Sequence, residues 1–227
     1  MDFVRAITFP FDDDEWLKKL GIGVLVGIIP IIGNPIAMQG WTLAIAQRVK
    51  ANDARPLPDW SNFGELISKG LMVWLASLVY QIPTLIVGCI LFFVQFLPLL
   101  GAGADSEEAF AALGGAAALI VTCCSCLIVL YAIAAGIVYW GGFVRYMDNE
   151  QFSTFMQFGE NFAIVRDNLG DFGQALLYFV LAGLAVGAVS SITFGLGSLV
   201  ATPFFAYFGG HILGQLSAKI GGHAPAV

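Results

Sequence analysis

One histidine lies deep in an uncharged stretch: His211, in Ala-Tyr-Phe-Gly-Gly-His-Ile-Leu-Gly. An imidazole inside an apolar run is a functional candidate, because an ionisable group there is costly to keep. Gly209, Gly210 and Gly214 leave space beside the ring. His211 could hold a metal, a haem or a chlorophyll-type pigment, or relay protons. The plainer expectation is a histidine hydrogen-bonded to a neighbouring helix near one end of the run. Lys219 follows eight residues later, about 12 Å by helix rise. His223 sits in the tail and offers no ready second axial ligand, so no cofactor is expected in the first instance.

A second candidate is Asp12-Asp13-Asp14-Glu15, directly before Trp16-Leu17-Lys18-Lys19. Clustered carboxylates suit a hard cation. Acids at a helix start also cap it and oppose its dipole, and that role is expected here. Asp105, Glu107 and Glu108 read as a short solvated turn. The four cysteines, Cys89, Cys123, Cys124 and Cys126, all fall in apolar runs. Cys-Cys-Ser-Cys lacks the paired spacing of a zinc site, so they are expected to be small packing residues and no metal is assigned. Asn34, Gln39, Gln81, Gln95, Thr122, Ser125, Ser190, Ser191 and Thr193 can line a path or bond across helices. Pro83, Pro98 and Pro203 interrupt helices, as transporter helices often are interrupted. No nucleophile elbow, zinc-protease helix, phosphate loop or pair of intramembrane aspartates is present, so no enzyme is expected. The loops are short and acidic overall, which argues against nucleic acid as a partner.

These residues need a scaffold, and composition dictates its class. Of 227 residues, 58% are hydrophobic and 11% charged. A soluble domain carries about 25% charged residues, so this chain reads as an integral membrane protein with the lipid bilayer as its first partner. Charge-free runs cover 20–47, 70–104, 109–144 and 172–218. A span needs about 20 residues; each run suffices, and the last allows two spans and a turn at Gly195-Leu196-Gly197. The start of the chain lacks the basic segment of a signal peptide, so the first apolar run is expected to direct insertion. Arg5, Lys18 and Lys19 precede that run; Arg48, Lys50, Arg55 and Lys69 follow it. Arg145 and Arg166 precede the last run, and Lys219 ends it. No basic residue separates the second run from the third. Basic loops stay cytoplasmic, so each run or pair of runs should leave and return. In the first run Pro30 weakens a helix, Gly33 can end it in the left-handed region, Asn34 can cap the next and Pro35 can open it. Helices over 14–32 and 34–50 would then form a hairpin; a single kinked crossing is the competing reading.

The expected fold is an all-α polytopic membrane bundle of about six helices in three in–out–in hairpins, with both termini cytoplasmic, in the cell (plasma or inner) membrane. It forms one domain, 1–227, in the segments 1–50, 51–144 and 145–227. Three pieces look interfacial. They are the arm with Phe3, Val4, Ile7, Phe9 and Phe11; the stretch with Phe63, Leu66, Ile67 and Gly70; and 151–168. In the last, Phe152, Phe155, Met156, Gly159, Phe162 and Ala163 make an apolar stripe, with Ser153, Thr154, Gln157, Glu160 and Asn161 on other faces. Phe-Gly-Glu occurs at 63–65 and again at 158–160, a hint of duplication. Gly23/Gly27, Gly183/Gly187 and Gly210/Gly214 have the spacing of close helix contacts. Leu57-Pro58-Asp59-Trp60 reads as an anchored loop, with Pro58 stiffening it and Trp60 at the membrane–water boundary.

Several of these features in order resemble a prokaryotic membrane family labelled domain of unknown function 4013. They are Phe9-Pro10, Trp16-Leu17-Lys18-Lys19, the Ile-Ile-Pro-Ile-Ile-Gly run, Gly40-Trp41, Arg48, Leu57-Pro58-Asp59-Trp60 and Gly70. The similarity is best over residues 9–75. Beyond that it rests on layout, the Phe143–Tyr146 exit and the long C-terminal hairpin. Trp41 stands where the family has tyrosine, so no role of a tyrosine hydroxyl carries over. The resemblance implies a multi-pass membrane protein of bacteria or archaea and supplies no activity. Two function classes fit the residues: a non-enzymatic accessory or scaffold subunit joined to other membrane proteins or to itself, and a small transporter or channel. A haem- or pigment-binding subunit through His211 is a minor third.

Overall fold

A computed structural model describes residues 1–55, 57–96 and 107–221. Pro98, Asp105 and His223 lie outside the described residues. The described residues are helical throughout, with no strand among them. A short arm, α1 (Phe3–Thr8), continues into a 3₁₀ turn at Phe9–Asp12. Two 13-residue helices follow, α2 (Trp16–Ile28) and α3 (Met38–Lys50). Then come α4 (Phe63–Val94), α5 (Glu107–Asn149), the short α6 (Ser153–Met156) and α7 (Phe158–Asp167), and finally α8 (Leu169–Ile192) and α9 (Gly197–Ile220). Phe63–Val94, Ala111–Asn149 and Leu169–Ile192 are long and apolar enough to cross a membrane. They mark the chain as a membrane protein. The expected total of about six spans is not reached on this measure.

The chain divides into two compact units, one of Met1–Ala76 with Ile137–Val227 and one of Ser77–Gly136. The first holds the interior: Phe9, Trp41, Leu43, Phe143, Phe155, Phe172, Phe208 and Leu216 are all shut away there. Its centre is the second half of α9, where 206–218 is buried without a break. A helix enclosed on every side needs no polar face. Glycines bring it close to its neighbour: a Cβ at Gly210 would stand 2.7 Å from the Thr42 carbonyl oxygen, and one at Gly214 2.6 Å from that of Ala46.

The first apolar run turns back on itself. Lys19 at the start of α2 and Arg48 near the end of α3 both donate to the Leu57 carbonyl, at 3.2 and 3.4 Å. A straight helix would hold those residues about 43 Å apart. Each leg is about 20 Å long by helix rise, shorter than the ~30 Å hydrocarbon core. This corrects the expected helices over 14–32 and 34–50. The turn also works differently from the expected stop and start. α2 ends at Ile28, two residues before Pro30, and Ile31 takes a positive φ of 66° with ψ −58°, a tight γ-turn closed by the Ile32 N–H donating to the Pro30 carbonyl at 2.8 Å. A wide π-type turn, Ile32–Ala37, then carries Pro35 inside it, and no side chain caps α3. Gly33 is needed for space: a Cβ there would collide with the Val26 carbonyl oxygen. At the far end of the chain, the turn between α8 and α9 falls where expected, with Gly195 at φ 90°.

Within this unit the hairpins start and finish at one rim. Lys50 pairs with Asp148, Lys69 with Glu150 at 2.8 Å, and Lys219 with Asp171. All ten basic residues belong to this unit. The second unit contains only the helical stretches 77–94 and 107–136 among its described residues. There Tyr80, Leu91, Ala117 and Ala135 are buried, while Ile86, Phe93, Leu119, Leu127 and Leu130 stand exposed. Four buried residues make no core that could hold two helices together in water.

Candidate functional site

Several of the residues that carry the family resemblance meet at the rim. Lys19 leaves the first turn of α2 and is 8% exposed. Its Nζ reaches Asp13 at 2.7 Å, Asp59 at 3.0 Å and the Leu57 carbonyl at 3.2 Å. Asp13 is 5% exposed and also accepts the Glu15 backbone N–H at 2.9 Å. Burial alone would push the Asp13 carboxyl up. The Lys19 hydrogen bond, the Glu15 N–H and the charges of Lys19 and Arg55 outweigh it and hold Asp13 below the usual carboxylate range. Burial would likewise push Lys19 down, but its bonds and charge interactions with Asp13 and Asp59 hold it above the usual lysine value. The acids before α2 therefore act mainly as ion-pair partners. Asp12 pairs with Arg5, Asp14 with Arg55 at 3.6 Å and Glu15 with Lys18 at 3.2 Å. No group of three or more potential metal ligands occurs among the described residues.

Two tryptophans lock the loop that supplies Asp59. Trp41 Nε1 donates to the Pro58 carbonyl at 3.1 Å, and Trp60 Nε1 donates to the Lys19 carbonyl at 2.9 Å. Their rings stack at 5.0 Å between centroids. Trp41 is fully buried, so the indole N–H makes a tie that a smaller ring could not reach in the same way. Pro58 and Trp60 thus anchor the loop to α2 and α3. Gly40 and Gly70 finish the arrangement: a Cβ on either would collide with backbone, of Leu66 and of Ile36 respectively. Lys19, Gly40, Trp41, Arg48, Leu57, Pro58, Asp59, Trp60 and Gly70 form one latch between the first hairpin and the start of α4.

His211 lies elsewhere, against the N-terminal arm. It is 6% exposed, its Nδ1 is 2.7 Å from Gln215 Nε2, and Phe9 stacks on it at 4.5 Å. With the amide donating, the imidazole is neutral and carries its proton on Nε2. Gln215 also accepts from the Asp2 backbone N–H at 2.6 Å and donates to the Asp2 carbonyl at 3.2 Å. The ring thus closes the arm onto α9, with Phe3 adding contacts to Tyr178 and Phe208.

The other sequence candidates divide. Gly23 and Gly27 face Pro203 and Thr202, the nearest atoms to a Cβ standing at 3.2 and 3.5 Å, and Gly210 and Gly214 face α3. Gly183 and Gly187 meet nothing within 4 Å, which corrects their assignment as packing positions within this chain. Cys89, Cys123 and Cys126 are exposed rather than packed. The stretch 63–70 belongs to the long helix α4. In 151–168 the expected stripe divides: Phe155 is sealed but Phe162 stands 55% exposed, while Thr154 and Asn161, expected on other faces, are buried. Asn161 Nδ2 donates to Thr154 and Phe155 carbonyls at 2.9 and 3.2 Å, and its Oδ1 accepts from Arg145 at 2.7 Å. Gly141 and Gly142 make room for it, a Cβ on Gly142 standing 3.0 Å from Asn161 Nδ2. Paired glycines facing an amphipathic helix were the available signal for this contact.

A family profile described as Protein of unknown function (DUF4013) matches residues 22–201. No curated protein and no solved structure matches the chain. The matched span includes Gly40, Trp41, Arg48, the Leu57–Trp60 loop and Gly70, and begins just past Lys19. Covering well over half of the chain, it shows that this protein belongs to the DUF4013 family, whose function is unknown.

Proposed function

We propose that the chain is a non-enzymatic membrane subunit that associates with other membrane proteins or with copies of itself. It sits in the cell membrane of a bacterium or archaeon, with the charged rim and both termini toward the cytoplasm. The observation that carries this reading is the exposure of the second unit. Its most apolar side chains face outward, together with Cys89, Cys123 and Cys126. The run 109–144 is 36 residues long without a charge, well beyond the ~20 that a lipid crossing requires. Small residues on open faces, including Gly88, Gly115, Gly183 and Gly187, let another helix approach closely. The rim supports a structural role, since its acids and bases are engaged with one another. The orientation rests on the basic residues that gather there.

The deciding experiment is solubilisation in mild detergent, followed by identification of what co-purifies. A defined complex, homo- or hetero-oligomeric, is expected. Introducing Leu127→Arg on the exposed face of 107–136 should break that complex while leaving the tryptophan emission of Trp41 and Trp60 unchanged. A lone, monodisperse chain would overturn the reading. The second reading, a small transporter or channel, is favoured by the broken first hairpin, whose wide turn places irregular backbone inside an apolar run. A lone chain that co-purifies with a solute would select it.

A further inference from the structure

We infer that the first unit contains a binding site for an uncharged amphiphile, built between the hairpin apex and α9. A cavity of about 390 Å³ lies there, in the size range of small-ligand sites. Its walls are aromatic, with Tyr139, Trp140, Phe143, Phe179 and Phe205 among them. Asn34, Gln39, Thr42 and Thr202 line it as well, and no ionisable acid or base does. The polar groups are free to bind. Thr42 Oγ1 donates to the Met38 carbonyl at 2.8 Å and retains its lone pairs. Among the described residues nothing hydrogen-bonds the side chains of Asn34, Gln39 or Thr202. Gln39 and Thr202 are half-buried, whereas Asn34 is exposed, so Gln39 is the more enclosed of the two amides.

The position of the cavity gives these groups meaning. Asn34 belongs to the apex of the first hairpin, and Thr202 packs beside Gly27 at the end of α2 that lies away from Lys19. Both are therefore remote from the charged rim, in the apolar part of the unit. There a carboxamide has no water to satisfy it, and leaving it unpaired is costly. Elsewhere in this unit the side-chain amides meet that demand within the chain: Asn161 and Gln215 both have partners, although the Ser217 hydroxyl is enclosed without one. Unpaired amides facing an aromatic-walled space point to a ligand that brings the missing partners. A carboxamide both donates and accepts, so a hydroxyl or carbonyl head suits Gln39 and Asn34. The aromatic walls suit an aliphatic or ring body. Without a cation in the lining, an anionic phosphate head would be desolvated and unpaired. The ligand class is thus a neutral lipid or lipid-soluble alcohol or ketone, not an anionic phospholipid. This inference is independent of the subunit reading, since it concerns residues away from the exposed hairpin.

The test is photo-crosslinking of the full chain in nanodiscs with two probes carrying the same diazirine-bearing chain. One is a long-chain alcohol and the other phosphatidylglycerol. The alcohol is expected to mark peptides containing residues 34–42, 139–143 or 201–213. Gln39→Leu should lower that labelling at least fivefold, and so should Ala201→Phe, which fills the space without removing an amide. Gly183→Ala, on an open face, should leave it unchanged. Thermal unfolding followed by tryptophan emission reports whether each variant is folded, and either cavity variant alone suffices. Three outcomes would overturn the inference: equal labelling by both probes, labelling spread over 77–94 and 107–136 in proportion to exposure, or labelling indifferent to a folded cavity variant.

Discussion

Lys19→Met is the sharpest test of the latch. The substitution keeps the length and apolar stem of the side chain and removes only the ammonium. Asp13, 5% exposed, then keeps one hydrogen bond, from the Glu15 N–H, and no adjacent lysine. Stranding one member of a buried pair costs about 3–5 kcal/mol. Two features favour the low end. Asp59 is a half-open carboxylate, with 59% of its side chain accessible, and can return to water. The Leu57 carbonyl retains Arg48 at 3.4 Å. A loss of about 3 kcal/mol corresponds to about 6–12 °C in unfolding temperature for a chain of this size. The assay is thermal unfolding in a non-ionic detergent, read by tryptophan emission, since Trp41 and Trp60 sit on the latch. Asp13→Asn with Lys19→Met should recover most of the loss, because asparagine still accepts the Glu15 N–H and carries no charge to strand. The pH dependence follows from the same pair. Asp13 is held below its unfolded value, so its contribution is present above about pH 4 and is lost as pH falls through the lower folded value. Lys19 is held above its unfolded value, so its contribution is present below about pH 10 and is lost as pH rises through the higher folded value. Stability from this pair should be flat between those limits, and the double variant should lack both flanks. A shift under about 2 °C for Lys19→Met, or a double variant no better than the single, would refute the reasoning.

Other outcomes follow from neighbouring features. Gly210→Ala places a methyl 2.7 Å from the Thr42 carbonyl oxygen and should destabilise by about 1–3 kcal/mol. Gly183→Ala meets nothing and should be neutral or stabilise by up to about 1 kcal/mol through helix propensity; unfolding temperatures of the two variants separate these cases. Asn161→Leu leaves two carbonyls and the Arg145 guanidinium short of a partner, costing about 1–3 kcal/mol. Limited proteolysis should then cut within 149–157 faster than in the native protein. For orientation, single cysteines replace Asp148 and Phe194 in a chain whose own four cysteines have been changed to serine or alanine. Phe194 is 99% exposed in the turn between α8 and α9. An impermeant maleimide added to intact cells should modify Phe194→Cys and spare Asp148→Cys; the reverse pattern inverts the topology.

Charge placement was the most legible part of the sequence, because a lysine or arginine must find water or an acid wherever the chain goes. That constraint gathers the hairpin ends on one rim without reference to packing. The turn at Gly195 was legible for a similar local reason. Glycine elsewhere was ambiguous, since a missing Cβ serves either a left-handed φ or a close approach. At Gly33 the sequence suggests the first and the fold uses the second, with Ile31 taking the strained φ instead. Paired glycines show only that two positions share a face; Gly210 and Gly214 have α3 against that face, while Gly183 and Gly187 have open space. Asn161 illustrates the converse. Its polarity places it with the outward residues of an amphipathic pattern, but Gly141 and Gly142 on a distant helix create the slot that takes it inside. The burial of Lys19 was equally hidden, because it depends on a loop that arrives forty residues later.

The two units meet the same hydrophobic pressure in opposite ways. The first buries its aromatic residues against one another and threads α9 through the middle. The second, with Tyr80, Leu91, Ala117 and Ala135 as its buried set, leaves most of its apolar surface for something else to cover. Lipid can cover Leu119, Leu127 and Phe93 at no cost. Lipid cannot satisfy Thr122, exposed on α5, or Gln95, exposed just past the end of α4, nor the hydroxyl of Thr84, which is enclosed and unbonded beside Pro83. Each polar group left so in hydrocarbon is unfavourable. Another helix can meet both demands, with small residues allowing approach and a side-chain donor or acceptor reaching across. The pattern of exposure is therefore what a protein neighbour along 77–94 and 107–136 would relieve better than lipid alone.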